Sequence, residues 1–128
     1  MTTTDTTDIT ATVDAYLAAW NERDPQRRAD LIRRAWSEQG RLVDPPMAAE
    51  GHEAISDMAG AMHEHYAGHF RRASDVDAHH DQLRFAWELV GPDDAVLLTG
   101  LDVGALATDG RLLHITGFFG DLPSRNGG

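Results

Sequence analysis

The sequence predicts an α+β fold in which three helices come first and an antiparallel sheet follows. Three observations carry this. Ile9, Val13, Tyr16, Leu17 and Trp20 recur at helical spacing and share one face. Leu83, Phe85, Trp87 and Leu89 alternate with Arg84, Ala86 and Glu88, the period of a half-buried strand. Thr108-Asp109-Gly110 sits between two apolar runs and reads as a hairpin turn.

Taken in order, residues 1–8 are polar and threonine-rich and are expected to be flexible, with Thr7 or Asp8 capping a first helix over 9–20. Asn21 to Asp24 ends that helix. Asp24 then caps a second one, and Pro25 suits its first turn. The second helix is expected to reach Trp36, with Leu31, Ile32, Ala35 and Trp36 inside and its arginines outside. Gly40 breaks the pattern, and 41–43 forms a short strand that delivers Asp44 to Pro45-Pro46. Residues 53–66 form a third helix with Ile55, Met58, Ala59, Met62 and Tyr66 along one side, and Phe70 packs as the chain turns. The polar stretch 74–80 reads as an edge strand. Residues 83–89, 95–107 and 111–119 are the long strands, with a turn at 91–94. The domain is expected to span 9–122, followed by a flexible tail at 123–128.

A chain of 128 residues is most simply one domain and long enough to bury a core unaided. It has no cysteine, so disulfides and thiolate chemistry are excluded. Its 11 basic and 21 acidic residues leave a net charge of -10, which argues against nucleic acid and anionic membranes as partners. The N-terminus has neither a basic nor an apolar segment, so a soluble, cytoplasmic protein is expected. The long strands are apolar on both faces. A homodimer would cover the second face.

Two acids stand among apolar neighbours. Asp44 follows Leu42-Val43, where a strand gives way to a loop, and the stretch from Gly40 to Ile55 reads as the rim of a pocket. Asp102 lies within LLTGLDVGAL, on one strand face with Leu98, Gly100 and Gly104. Burial there would favour its neutral form, which can donate to a developing oxyanion. Asp44, if ionised, could accept a proton, and Tyr16 could supply a second donor. The same residues also fit a turn acceptor, a satisfied buried acid and an ordinary core tyrosine. Spacing alone does not choose between these readings. The seven histidines show no metal-ligand spacing, and neither a phosphate loop nor a dinucleotide motif is present, so no metal or cofactor is expected. His114 alternates with Leu112, Thr116 and Phe118, and its strand register decides whether it faces the pocket.

The pieces YLAAWNERDP at 16–25, LVDP at 42–45, EGHEAI at 50–55 and LDVGALATDGRLLHITGFFG at 101–120 resemble, in that order, the nuclear-transport-factor-2-like (NTF2-like) superfamily, also called SnoaL-like or ketosteroid-isomerase-like. The resemblance covers about residues 9–122. It implies a cone, with N-terminal helices packed on a strongly curved, mixed and mostly antiparallel sheet around a ligand pocket, usually in a dimer. By the ketosteroid isomerase pattern, it implies Asp44 as catalytic base and Tyr16 and Asp102 as oxyanion donors. The implied activity is proton transfer next to a carbonyl of a small apolar or aromatic molecule, without a cofactor. A SnoaL-like cyclase and a non-catalytic binding protein are the alternatives the superfamily offers. Trp20, Met47, Met58, Met62, His114 and Phe118 are the expected pocket residues, with Trp36 and Trp87 also narrowing it.

Overall fold

The computed structural model describes residues 6–125. Most of the N-terminal stretch and the last residues of the tail, both expected to be flexible, lie outside this range. Helix α1 spans Thr6–Asn21, so it already includes the end of the stretch expected to be frayed. Helix α2 spans Pro25–Ala35 and is opened by Asp24, whose carboxylate accepts the Arg27 N–H at 3.1 Å. Strand β1 (Trp36–Val43) and β2 (Ala48–Glu50) form a hairpin, and α3 (His52–His65) follows. Strands β3 (His69–Arg72), β4 (Asp77–His79), β5 (Gln82–Val90), β6 (Val96–Leu106) and β7 (Leu112–Phe119) complete the chain.

The seven strands form one curved sheet in the order β2-β1-β7-β6-β5-β3, with β4 also on β5. Only β1 and β7 run parallel, so the sheet is mixed and mostly antiparallel. The helices cover its concave face. Ile9, Val13 and Leu17 of α1, Ile32 of α2 and Ile55 of α3 meet Leu42, Leu83, Phe85 and Leu112 in one buried core.

Several elements differ from the sequence reading, each for a local reason. Trp36 is not the last inner residue of α2. Its backbone is extended (φ -114, ψ 137), and it begins an eight-residue strand instead of the three residues expected at 41–43. Gly40 is therefore not a helix breaker. A Cβ there would come within 2.5 Å of Trp36 Cε3, so the glycine makes room for the indole. Strand β2 is three small or polar residues and carries no periodic signal. Strand β3 holds Phe70 in a ladder with β5 instead of a loop. Strands β3 and β4 lie along the same edge of β5. The gap between them is bridged by Ser74, whose Oγ accepts the Ala86 N–H at 2.9 Å.

Arg28 is also inside, contrary to the expectation that the α2 arginines all face water. Its Nε donates to Ser56 Oγ at 2.9 Å and its Nη1 to the Glu22 carbonyl at 3.0 Å. The guanidinium thus ties the end of α1 to α3 and lies against Gly60, where a Cβ would sit 3.3 Å from Nη2. Among the described residues, no helix is long and apolar enough to cross a membrane.

Candidate active site

Helices and sheet enclose a cavity of about 580 Å³ with mostly apolar walls. Asp102, in the middle of β6 and 4% exposed, lines it. Tyr16 reaches it from α1: the hydroxyl donates to Asp102 Oδ2 at 2.8 Å. The Tyr16 ring is held edge-to-face between Trp36 at 5.7 Å and Phe85 at 6.1 Å. The other carboxylate oxygen, Oδ1, accepts the Trp87 indole N–H at 2.9 Å. Trp87 pairs across the sheet with Gly100, and a Cβ at Gly100 would lie only 2.0 Å from the indole Cζ2. The missing side chain lets the indole lie flat along β6 and reach Asp102.

Asp44 stands just past the end of β1, half-buried, on the cavity wall. The Asp44 N–H donates to the Met47 carbonyl at 2.9 Å, and the Met47 N–H donates back to Asp44 Oδ1 at 3.2 Å. This turn has Pro45-Pro46 at its centre and fixes the carboxylate at the rim. Strand β7 brings Asp44 near Asp102. Val43 pairs with Thr116, and Asp102 pairs with the next residue, Gly117. The two acids therefore flank Gly117 on one face of the sheet.

Burial sets the electrostatics. Desolvation pushes Asp102 up to about 6, with the negative charge of Asp44 adding to the rise, while the hydrogen bonds from Tyr16 and Trp87 work against it. Desolvation also raises Asp44, opposed by the Met47 N–H. Tyr16 is pushed well above the ordinary tyrosine range, first by burial and then by the Asp102 charge, so it stays a neutral donor. A raised Asp44 is a stronger base than a free carboxylate, and a raised Asp102 holds a proton at higher pH than a free one.

Tyr16, Asp44 and Asp102 thus line one cavity, together with Trp20, Met47 and Met62. Three expected pocket residues do not. Met58 is packed in the core beside Ile55 and Ala59. His114 and Phe118 lie on the outer face of the sheet, where Phe118 is 56% exposed. The β6–β7 register shifts between Ala105 and Leu106. Leu112 and Ile115 both point inward as a result, and the alternation then continues with Gly117 and Phe119 inside.

Trp87, expected only to narrow the pocket, also contributes its indole N–H; the signal for it is its place beside Phe85 and Leu89 on the inner face of β5. Phe70 and Phe119, not among the expected pocket residues, join Trp20 and Trp87 in a row of edge-to-face rings spaced 5.4–5.6 Å apart along one side of the cavity. Two histidines link elements. His63 donates to the Trp20 carbonyl at 2.6 Å, and His52 Nε2 lies 3.0 Å from the carbonyls of Trp36 and Ser37. Among the described residues, no three His, Asp or Glu side chains converge as metal ligands.

A cone of three helices on a curved mixed sheet, with an acid-lined pocket, is the nuclear-transport-factor-2-like fold. The chain belongs to its SnoaL-like family. It is 38% identical, with a TM-score of 0.84, to a SnoaL-like protein of Agrobacterium tumefaciens strain C58 provisionally termed an isomerase, over 90% of this chain and 99% of that one. More distant solved structures share the fold alone. One is a Catenulispora acidiphila protein with a ketosteroid isomerase-like fold, in complex with trimethylamine (16% identity, TM-score 0.68, 88% of this chain and 87% of that one). Another is a Sinorhizobium meliloti protein provisionally termed a polyketide cyclase (14% identity, TM-score 0.67, 89% and 99%). Neither a protein-family model nor a curated protein matches the sequence.

Proposed function

We propose that the protein is a cofactor-independent acid–base enzyme that moves a proton next to a carbonyl of a small, largely apolar molecule. One observation carries this reading: the Tyr16–Asp102 pair and the Asp44 carboxylate face one apolar cavity from either side of Gly117. The Asp44 carboxylate takes a proton from the carbon beside the carbonyl, and the C–H electrons pass into an enolate. With Asp102 protonated, its O–H donates to the enolate oxygen, and the Tyr16 hydroxyl gives up its hydrogen bond to Asp102 Oδ2 and turns its one proton to the same oxygen. Asp44 then returns the proton to another carbon of the conjugated system, so the reaction is an isomerisation with no net loss of atoms.

Supply of β,γ-unsaturated ketones, followed by ultraviolet absorbance of the conjugated product, tests the reading. Turnover by the wild type, reduced about 10²–10⁴-fold in Asp44→Asn, is the expected result. No turnover across a panel of such ketones by the folded protein would sink it. An intramolecular aldol cyclisation would use the same enolate, and the polyketide cyclase label of distant structural neighbours makes cyclised products worth assaying alongside.

Binding without turnover is the second reading. It is favoured by the hydrogen bond that Asp44 Oδ1 already accepts from the Met47 N–H. In that case ligands would bind with equal affinity to wild type and Asp44→Asn. We further propose that a second copy of the chain covers the outer sheet face, where Leu101 and Val103 of β6 and Phe118 of β7 are exposed together. Sedimentation of the wild type and Phe118→Asp as the same monomeric species would refute it.

A further inference from the structure

The cavity holds two acids and no cation to balance them. Asp44 and Asp102 both line it, and they come close: a Cβ built on Gly117 would lie 2.9 Å from Asp102 Oδ1 and 3.3 Å from Asp44 Cβ. Each opposes the ionisation of the other. Among the described residues neither takes part in a salt bridge, and the arginines that pair with carboxylates do so elsewhere. The chain has no lysine, and no arginine lines the cavity. His65, exposed at its edge, is the one lining side chain that can carry a positive charge. Both oxygens of Asp102 accept from neutral donors, Tyr16 and Trp87. Asp44 Oδ1 accepts the Met47 N–H, and Asp44 Oδ2 has no partner among the described residues. An ionised Asp44 therefore offers a free acceptor beside a second negative charge.

We propose that the cavity binds an apolar amine in its ammonium form: an ammonium N–H donates to Asp44 Oδ2, and the hydrocarbon part lies against the row of rings from Trp20 to Phe119. The inference goes beyond the acid–base reading and does not need it, because it uses the carboxylates as charges and not as bases. A like-charged pair inside low-dielectric walls attracts a ligand of the opposite sign and rejects an anion of the same shape. The hydrogen bond from ammonium to carboxylate is charge-assisted, hence stronger than one from a neutral donor. The aromatic rings add a surface that suits both the apolar body and the positive charge of such a ligand.

Benzylammonium and benzyl alcohol supply the test, because they share a ring and a CH₂ and differ in charge. Both are titrated calorimetrically into the wild type at mildly alkaline pH, where the amine is still protonated and the carboxylates are ionised. Benzylammonium is expected to bind about tenfold more tightly or better, the difference that a hydrogen bond between charged groups supports. Tryptophan emission should follow the same isotherm, since Trp20 and Trp87 line the cavity. Asp44→Asn, with an unchanged circular dichroism spectrum, should lose about tenfold for benzylammonium and keep its affinity for benzyl alcohol. Equal or tighter binding of benzyl alcohol by the wild type overturns the proposal, as does no binding of benzylammonium, and neither result needs a variant to fold. Calorimetric binding of benzylammonium with unmoved tryptophan emission would place the amine on the outer surface of a chain of net charge -10, and overturns it too. So does undiminished affinity for benzylammonium in a folded Asp44→Asn.

Discussion

The hydroxyl of Tyr16 donates to Asp102 Oδ2 across 2.8 Å, joining the first helix to the middle of the sheet over 86 positions of sequence. Both groups are buried, and no buried side-chain polar atom among the described residues lacks a partner. Tyr16→Phe would remove the donor and leave a carboxylate oxygen enclosed by rings. The expected cost is about 1–3 kcal/mol of stability, read from urea unfolding at pH 7. A change within error of zero would mean that water replaces the hydroxyl and that Tyr16 does not hold Asp102 in place.

The raised pKa of Asp102 has a consequence for folding. The unfolded carboxyl has the ordinary value of 3.8, and the folded one is pushed to about 6 by burial. The folded state therefore binds the proton more tightly. Its contribution to stability is fully present below the unfolded value, falls as pH rises through the window from 3.8 to about 6, and stays lost above that. A shift of that size corresponds to about 3 kcal/mol. Asp102→Asn keeps an acceptor for Trp87 and a neutral partner for Tyr16, and it does not titrate. Chemical unfolding of the two proteins between pH 4 and 8 should show the variant gaining on the wild type across this window. A constant difference would place the Asp102 pKa near that of a free carboxyl.

How much of this was legible depended on whether a signal was local. Alternation groups Asp102 on one strand face with Leu98, Gly100 and Gly104, but which side of the sheet that face occupies is decided by the helices that cover it and not by the strand itself. His114 and Phe118 could not be placed, because the β6–β7 register shift reverses the phase of β7, and no residue in the hairpin announces it. Strands β2 and β3 are short and half-polar and exist through their neighbours' ladders. Trp36 carries no stop signal of its own, and only the space at Gly40 explains why it begins a strand. The Trp87 N–H was hidden for another reason. A tryptophan at period-two spacing reads as core, and its polar edge becomes visible only when Gly100 and Asp102 are seen on the adjacent strand.

Catalysis through a protonated Asp102 makes a prediction about pH. kcat/KM reports groups of the free enzyme, so it should fall as Asp102 loses its proton near pH 6. On the acid side it should fall as Asp44 gains one, with the limb shifted upward from that of a free aspartate by burial. Trp87→Phe removes a hydrogen bond that stabilises the Asp102 carboxylate, so the alkaline limb should move to higher pH. Asp102→Asn is a permanent donor and should flatten that limb. An alkaline limb that stays in place in both variants would assign it to another group.

Gly100 is predicted to matter as much as a catalytic side chain while touching no substrate. The Trp87 indole lies where a Cβ on Gly100 would be, with separations of 2.0 Å to Cζ2 and 2.3 Å to Cε2. Gly100→Ala must push the ring away from β6. The indole then loses its hydrogen bond to Asp102 and its edge-to-face contacts with Phe70 and Phe119. Overpacking and the broken bond together should cost about 2–4 kcal/mol. Two readouts distinguish this from simple loss of stability. Tryptophan emission should change as the Trp87 N–H leaves Asp102. The alkaline limb of kcat/KM should move upward as it does in Trp87→Phe, because the same hydrogen bond is gone. A destabilised variant with an unmoved pH profile would show that the indole finds Asp102 by another route, and that Gly100 serves packing alone.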